Sequence, residues 1–247
     1  MVYGDDKSTI HNKLNFVSAF VETFTVRRSA NYKNFSQSSI KYTMFNLIKS
    51  IRNNPLAELG ENLKLELSNM EYTFDGIDNL RLHGMNKRFV KHLLSRITAY
   101  VDSLAGIPGD YSKYMFTQGK GVKPFEIEHI WSDHFEEHND EFDQKSDFDD
   151  WRNSIGAMIL LPNGTNQSHG DDSYQSKVKY YLRENLYAAS LNAECYEKNP
   201  NFKDNETIKR LGFKPHSDFK KADITDRKAL VKAICQEIWS FANFDIE

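Results

Sequence analysis

The stretch from Phe125 to Lys177 constrains the fold more than any other part of the chain. It opens with FEIEHIW (Phe125 to Trp131), which reads as a strand that ends by presenting Glu128 and His129. A second apolar run, Ile155 to Leu161, reads as a buried strand. A loop carrying Asn163 and Asn166 follows, and Tyr174 to Leu182 then has a helix pattern. Strand, strand, helix, with an acid–His pair on the first strand and an asparagine after the second, suits a metal-dependent nuclease site.

The rest of the chain reads as helix, so the expected fold class is α+β and mostly α-helical. Residues 11–28 place Leu14, Val17, Phe20, Val21 and Phe24 on one face. Ser36 to Ser39 offers N-cap residues for a second helix, with Ile40, Met44, Leu47, Ile48 and Ile51 as its buried stripe. Pro55 can start a third helix, which Gly60 can interrupt. Residues 70–85 are irregular. Asn86 to Ala105 is the clearest helix, with Phe89, Val90, Leu93, Leu94, Ile97, Val101 and Leu104 on its apolar face. Gly106-Ile-Pro-Gly109 ends it, and Lys113 to Lys123 reads as a loop with two glycines. The expected organisation is therefore a helical module over 1–118 and a nuclease domain over 119–247, with its core at about 123–182. Acidic residues fill 133–150, read as a loop and a short helix between the strands. Helices are expected over Glu184 to Glu197, Asn205 to Leu211 and Thr225 to Ala242.

The chain has 247 residues, enough for one large domain or two small ones. No apolar run is long enough to span a bilayer, and the amino terminus lacks a signal-peptide core. Cys195 and Cys235 are the only cysteines, which argues against a disulfide framework or a cysteine zinc site and fits a reducing cytoplasm. The net charge of −3 hides an asymmetry. Residues 1–118 hold 15 Lys/Arg and 11 Asp/Glu, giving +4, and the remainder holds 17 and 24, giving −7. That excess does not by itself show nucleic-acid binding.

Phosphodiester hydrolysis needs a base for water, a cation on the phosphate and leaving oxygen, and a phosphate held in line. Histidine suits the first task at neutral pH. Mg²⁺ keeps several waters and often takes only one or two protein oxygens. Glu128 and His129 are adjacent, so a regular strand sends them to opposite faces. For both to serve one site, the strand must end or bulge there and the Asn163–Asn166 loop must fold over it. Asn166 offers a carbonyl oxygen to a hard cation, and Lys177 a charge for a phosphate. Each piece also has an ordinary reading: an exposed ion pair, a turn, a helix charge. His134, His138 and His169 read as surface histidines.

Taken together, EIEHIW, RNSIGAMILLPNGTNQS and SYQSKVKYYL resemble the HNH (His-Me finger) endonuclease domain at the carboxyl end of GmrSD-type restriction proteins. FVETFTVRR, NKRFVKHLLSRITAYVD and YYLRENLYAASLNAECYEKNPNF extend the resemblance over most of the chain. It implies a ββα-metal core, a bacterial defence setting and DNA as substrate. It further implies His129 as general base, Asn153 as the middle asparagine that orients it, and Glu128 and Asn166 as ligands of Mg²⁺ or Mn²⁺. Lys177, and less directly Arg152, would contact phosphate. Two positions depart from the pattern: Ser132 stands where many relatives have proline, and Glu128 where aspartate is common. Full-length relatives carry an amino-terminal ParB-like nucleotide-binding domain, which is not found here, so a carboxyl-terminal fragment or split subunit is expected, with a homodimer as one assembly. The competing readings are a DNA-binding or regulatory module without activity and a purely structural helical scaffold.

Overall fold

A computed structural model describes residues 4–117 and 119–245, without the side chains of Asn166 and Gln167. Its contacts divide the chain into two units, one of residues 1–77 with 239–247 and one of residues 78–238. This division falls well before the boundary expected near residue 118.

In the first unit, Asp6 accepts a hydrogen bond from the Thr9 amide at 2.7 Å and starts helix α1 (Lys7–Ala30). Arg27 and Arg28 lie in its last turn, where cations complement the helix dipole. The Ser36 hydroxyl caps α2 (Gln37–Ile51), as its sequence led us to expect, and α3 (Leu56–Ser68) starts just after Pro55. Phe16, Phe20 and Phe24 of α1 meet Leu47 of α2, Leu59, Leu63 and Leu67 of α3, and Phe244 in one core. Burying each such side chain contributes about 1.5–3 kcal/mol. Gly60 does not interrupt α3. A Cβ there would lie 2.8 Å from the Phe244 carbonyl oxygen, so the glycine permits that approach. Ile48, expected in the buried stripe of α2, is 60% exposed.

The second unit is built on α4 (Lys87–Leu104), whose Val90, Leu93, Leu94, Ile97 and Val101 are fully buried. Helix α5 (Tyr111–Met115) packs on it. Strand β1 (Phe125–His129) pairs antiparallel with β2 (Met158–Pro162), with Glu128 opposite Ile159 and His129 opposite Met158. Between the strands lies α6 (Lys145–Arg152), preceded by a short 3-10 turn. Helix α4 packs against β2, which is why it belongs with the strands. The class is therefore α+β, mostly helical, with a two-stranded antiparallel sheet.

Three expectations are corrected. The second strand starts at Met158, because Ile155–Ala157 form a 3-10 turn. Gly156 lies against the last long helix: a Cβ would meet the Ile224 carbonyl oxygen at 2.4 Å, and Arg227 Nε donates to the Gly156 carbonyl at 3.0 Å. The expected Asn163–Asn166 loop is helix α7 (Asn163–His169), which begins as soon as Pro162 ends β2. The Asn163 amide donates to the Pro124 carbonyl at 2.8 Å, and Asn163 Nδ2 to Glu126 at 2.8 Å, which fixes the helix start on β1. After α8 (Tyr174–Tyr181), the single helix expected over Glu184 to Glu197 is split into α9 (Leu186–Ala189) and α10 (Ala193–Lys198). Asn185 and Asn192 each cap a new start there. Helices α11 (Pro200–Lys203), α12 (Glu206–Leu211) and α13 (Lys221–Ile238) complete the unit. Among the described residues no helix is long and apolar enough to cross a membrane.

Candidate active site

His129 is the last residue of β1, and Asn153 is the C-cap of α6. The two meet through His129 Nε2 and Asn153 Oδ1 at 3.0 Å. Asn153 Nδ2 donates to the Asp149 carbonyl at 2.8 Å, which fixes the orientation of its amide. Oδ1 can only accept, so Nε2 of a neutral His129 carries the proton and Nδ1 keeps the lone pair. The backbone around Asn153 is held as well. The Leu82 amide donates to its carbonyl at 2.8 Å, and the Ile155 amide donates to the Leu80 carbonyl at 3.0 Å.

The chain after His129 is anchored by Trp131. Its indole is buried, stacks on Phe148 with ring centroids 5.7 Å apart, and donates to the Phe219 carbonyl at 2.7 Å. His138 is packed beside the same ring, so it is a buried histidine and not the surface one expected. Ser132 is buried too. Arg152 Nε donates to the Trp131 carbonyl at 3.2 Å, which brings its cation near His129.

Burial, followed by the nearby Arg152 cation, pushes the His129 imidazole down to about 4. The ring is then neutral at pH 7, as a base must be. The unfolded chain takes up this proton near the ordinary value of about 6.5. Stability that is full above that pH is therefore lost as pH falls toward 4. A proton NMR titration should show the His129 Cε1 resonance inflecting near 4; an inflection between 6 and 7 would contradict this environment.

Glu128 points elsewhere. Strand alternation sends it to the opposite face from His129, and β1 stays in regular register with no bulge. The sequence asked for a strand that ends or bulges at this pair; β1 does not bulge, and it ends at His129. Glu128 is 6% exposed, and its Oε1 accepts from Lys177 Nζ at 2.6 Å. The same ammonium donates to the His129 carbonyl at 3.0 Å. Lys177, expected on a phosphate, is 1% exposed and has its charge turned inward. Burial pushes the Glu128 carboxyl up and the Lys177 ammonium down, each offset in part by the other.

Among the described residues no group of three or more His, Cys, Asp or Glu is placed to hold a metal ion. A hard divalent cation needs only one or two protein oxygens, so Glu128 with Asn166 suffices in number. Glu128 is at present the partner of Lys177, and the Asn166 side chain lies outside the described ones. The structure therefore joins His129 to Asn153 and Glu128 to Lys177, with the Arg152 charge acting on both pairs. The inward-facing Lys177, and the carbonyl tether it makes to His129, had no local sequence signal.

The sequence model of the GmrSD restriction endonucleases, C-terminal domain, matches residues 68–232, well over half of the chain. The chain belongs to that family, whose type of function is that of restriction endonucleases. Comparison with curated proteins gave no match, and neither did comparison with solved structures.

Proposed function

We propose that this member of the GmrSD C-terminal family is a metal-dependent DNA endonuclease of the HNH (ββα-metal) type acting in restriction or anti-phage defence. The observation that carries the reading is the His129–Asn153 pair, in which a fixed amide leaves one imidazole nitrogen as a neutral base. His129 Nδ1 would take the proton of the attacking water. Asn153 would hold the ring and support the imidazolium as it forms. Arg152 beside them would meet the scissile phosphate. A phosphate anion near His129 favours its protonated form and would raise its basicity from about 4 toward the working pH. Lys177 would brace the strand, by pairing with Glu128 and holding the His129 carbonyl. Glu128 and Asn166 would hold Mg²⁺ or Mn²⁺, with Glu128 yielding part of its bond to Lys177. Such a cation would supply charge stabilisation at the phosphate and the leaving oxygen. The ends left would be a 5′-phosphate and a 3′-hydroxyl.

The test is incubation of the chain with supercoiled plasmid in Mg²⁺ or Mn²⁺ and in EDTA. Nicked or linear DNA with either metal and none in EDTA is expected. DNA binding that survives EDTA without cleavage under any divalent ion would establish the competing reading, an inactive DNA-binding module. A partner carrying a ParB-like nucleotide-binding domain, and a dimer of this chain, belong to the same proposal.

A further inference from the structure

The first unit carries a surface that the nuclease reading leaves unused. Residues 23–57 contain six Lys/Arg and no Asp or Glu. Four of the six, Lys33, Lys41, Lys49 and Arg52, are exposed. On α2, Lys41, Phe45 and Ile48 follow one helical stripe, with Tyr42 and Lys49 beside it and Arg52 just past the helix end. Tyr42 is 79% exposed and Phe45 57%. Lys41, Tyr42 and Phe45 line a groove of about 290 Å³. The Lys49 ammonium lies 5.6 Å from the Phe45 ring centre, so charge and ring are presented together. No ion pair to Lys41, Lys49 or Arg52 forms among the described residues. The buried side of the same helix is Leu47, with Ile40, Met44 and Ile51 packed against the core. The rings therefore face outward by choice of register, not for want of a core. This unit also lies largely outside residues 68–232, so family membership does not account for it.

We infer that the outer face of α2 binds single-stranded DNA. From Lys41 to Lys49 the face runs about 12 Å along the helix, long enough for a short strand segment. A run of cations without acids complements a phosphate backbone. Exposed rings between the cations match unpaired bases, whose faces are open for stacking; a duplex hides them. A solvent-facing salt-bridged helix would carry both signs of charge, and α2 carries one.

The test is fluorescence anisotropy of the full chain with a labelled oligothymidylate and with a labelled duplex, in EDTA so that cleavage plays no part. The single strand should bind tighter than the duplex. Tyr42→Ala with Phe45→Ala should weaken single-strand binding by at least about tenfold. Lys41→Gln with Lys49→Gln should weaken it and reduce the slope of log affinity against log salt by about 1.4. All four residues are exposed, so circular dichroism should be unchanged. Unchanged affinity in both double variants overturns the inference. So does equal binding of duplex, a variant that shifts the oligomeric state instead, or one that shifts partitioning onto anionic vesicles instead.

Discussion

Replacing His129 with alanine is expected to lower the rate of plasmid cleavage by about 100- to 10,000-fold while leaving the fold intact. The range is what a positioned proton acceptor contributes when nothing else changes. The side chain is half-buried, and its bond to Asn153 is the one that fixes its tautomer. Its removal frees Asn153 Oδ1 to take a water, so the stability cost is small beside the loss of rate. Asn153→Ala should fall between the variant and the wild type, because the base remains but its ring and tautomer are no longer held. Cleavage rates under single-turnover conditions, with melting curves for each variant, check both statements. A His129→Ala protein that cuts at the wild-type rate would remove His129 from the chemistry.

Replacing Lys177 with methionine is expected to destabilise the second unit by about 3–5 kcal/mol at pH 7. The loss arises because Glu128, 6% exposed, is left as a buried carboxylate without its cation. For a chain of this length that corresponds to a fall in melting temperature of roughly 10 °C. Two further results separate this cause from a packing defect. Adding Glu128→Gln to the variant should restore most of the stability, since the buried charge is then gone. The loss should also shrink as pH falls, because burial already raises the Glu128 carboxyl and a protonated acid needs no cation. If Lys177→Met melts with the wild type at pH 7, the pair does not hold the strand. A phosphate-contact role for Lys177 would give the opposite pattern, normal stability with weakened substrate binding.

Much of the frame was legible because it is local. The apolar stripe of α4, the Ser36 cap of α2 and the apolar content of both strands all follow from residues within a turn or two of each other. What was not legible depends on distant partners. The start of β2 is delayed by Ile224 and Arg227, which press on Gly156 from a helix about 70 residues later in the chain. Asn163-Gly164 has the composition of a turn, yet it opens a helix because Pro162 ends the strand and Pro124 and Glu126 of the neighbouring strand take the Asn163 donors. The later helix is split where Asn192 accepts from the Glu194 amide and caps a new start.

The candidate site divides in the same way. His129 and Asn153 could be named from the sequence, and the structure joins them directly. Lys177 could be named but not its direction, since its partner Glu128 lies 49 residues earlier in the chain. His138 reads as an exposed residue in an acidic stretch, and only the ring packing around Trp131 shows it to be buried.

The most direct test of the nuclease reading is chemical rescue of the His129→Ala variant by added imidazole in the presence of Mg²⁺. If His129 is the base, the variant should be nearly silent alone. Cleavage should return as imidazole is added, in proportion to its neutral fraction as pH is raised through about 7. Wild-type cleavage by the variant without imidazole would contradict the assignment of His129 as the base.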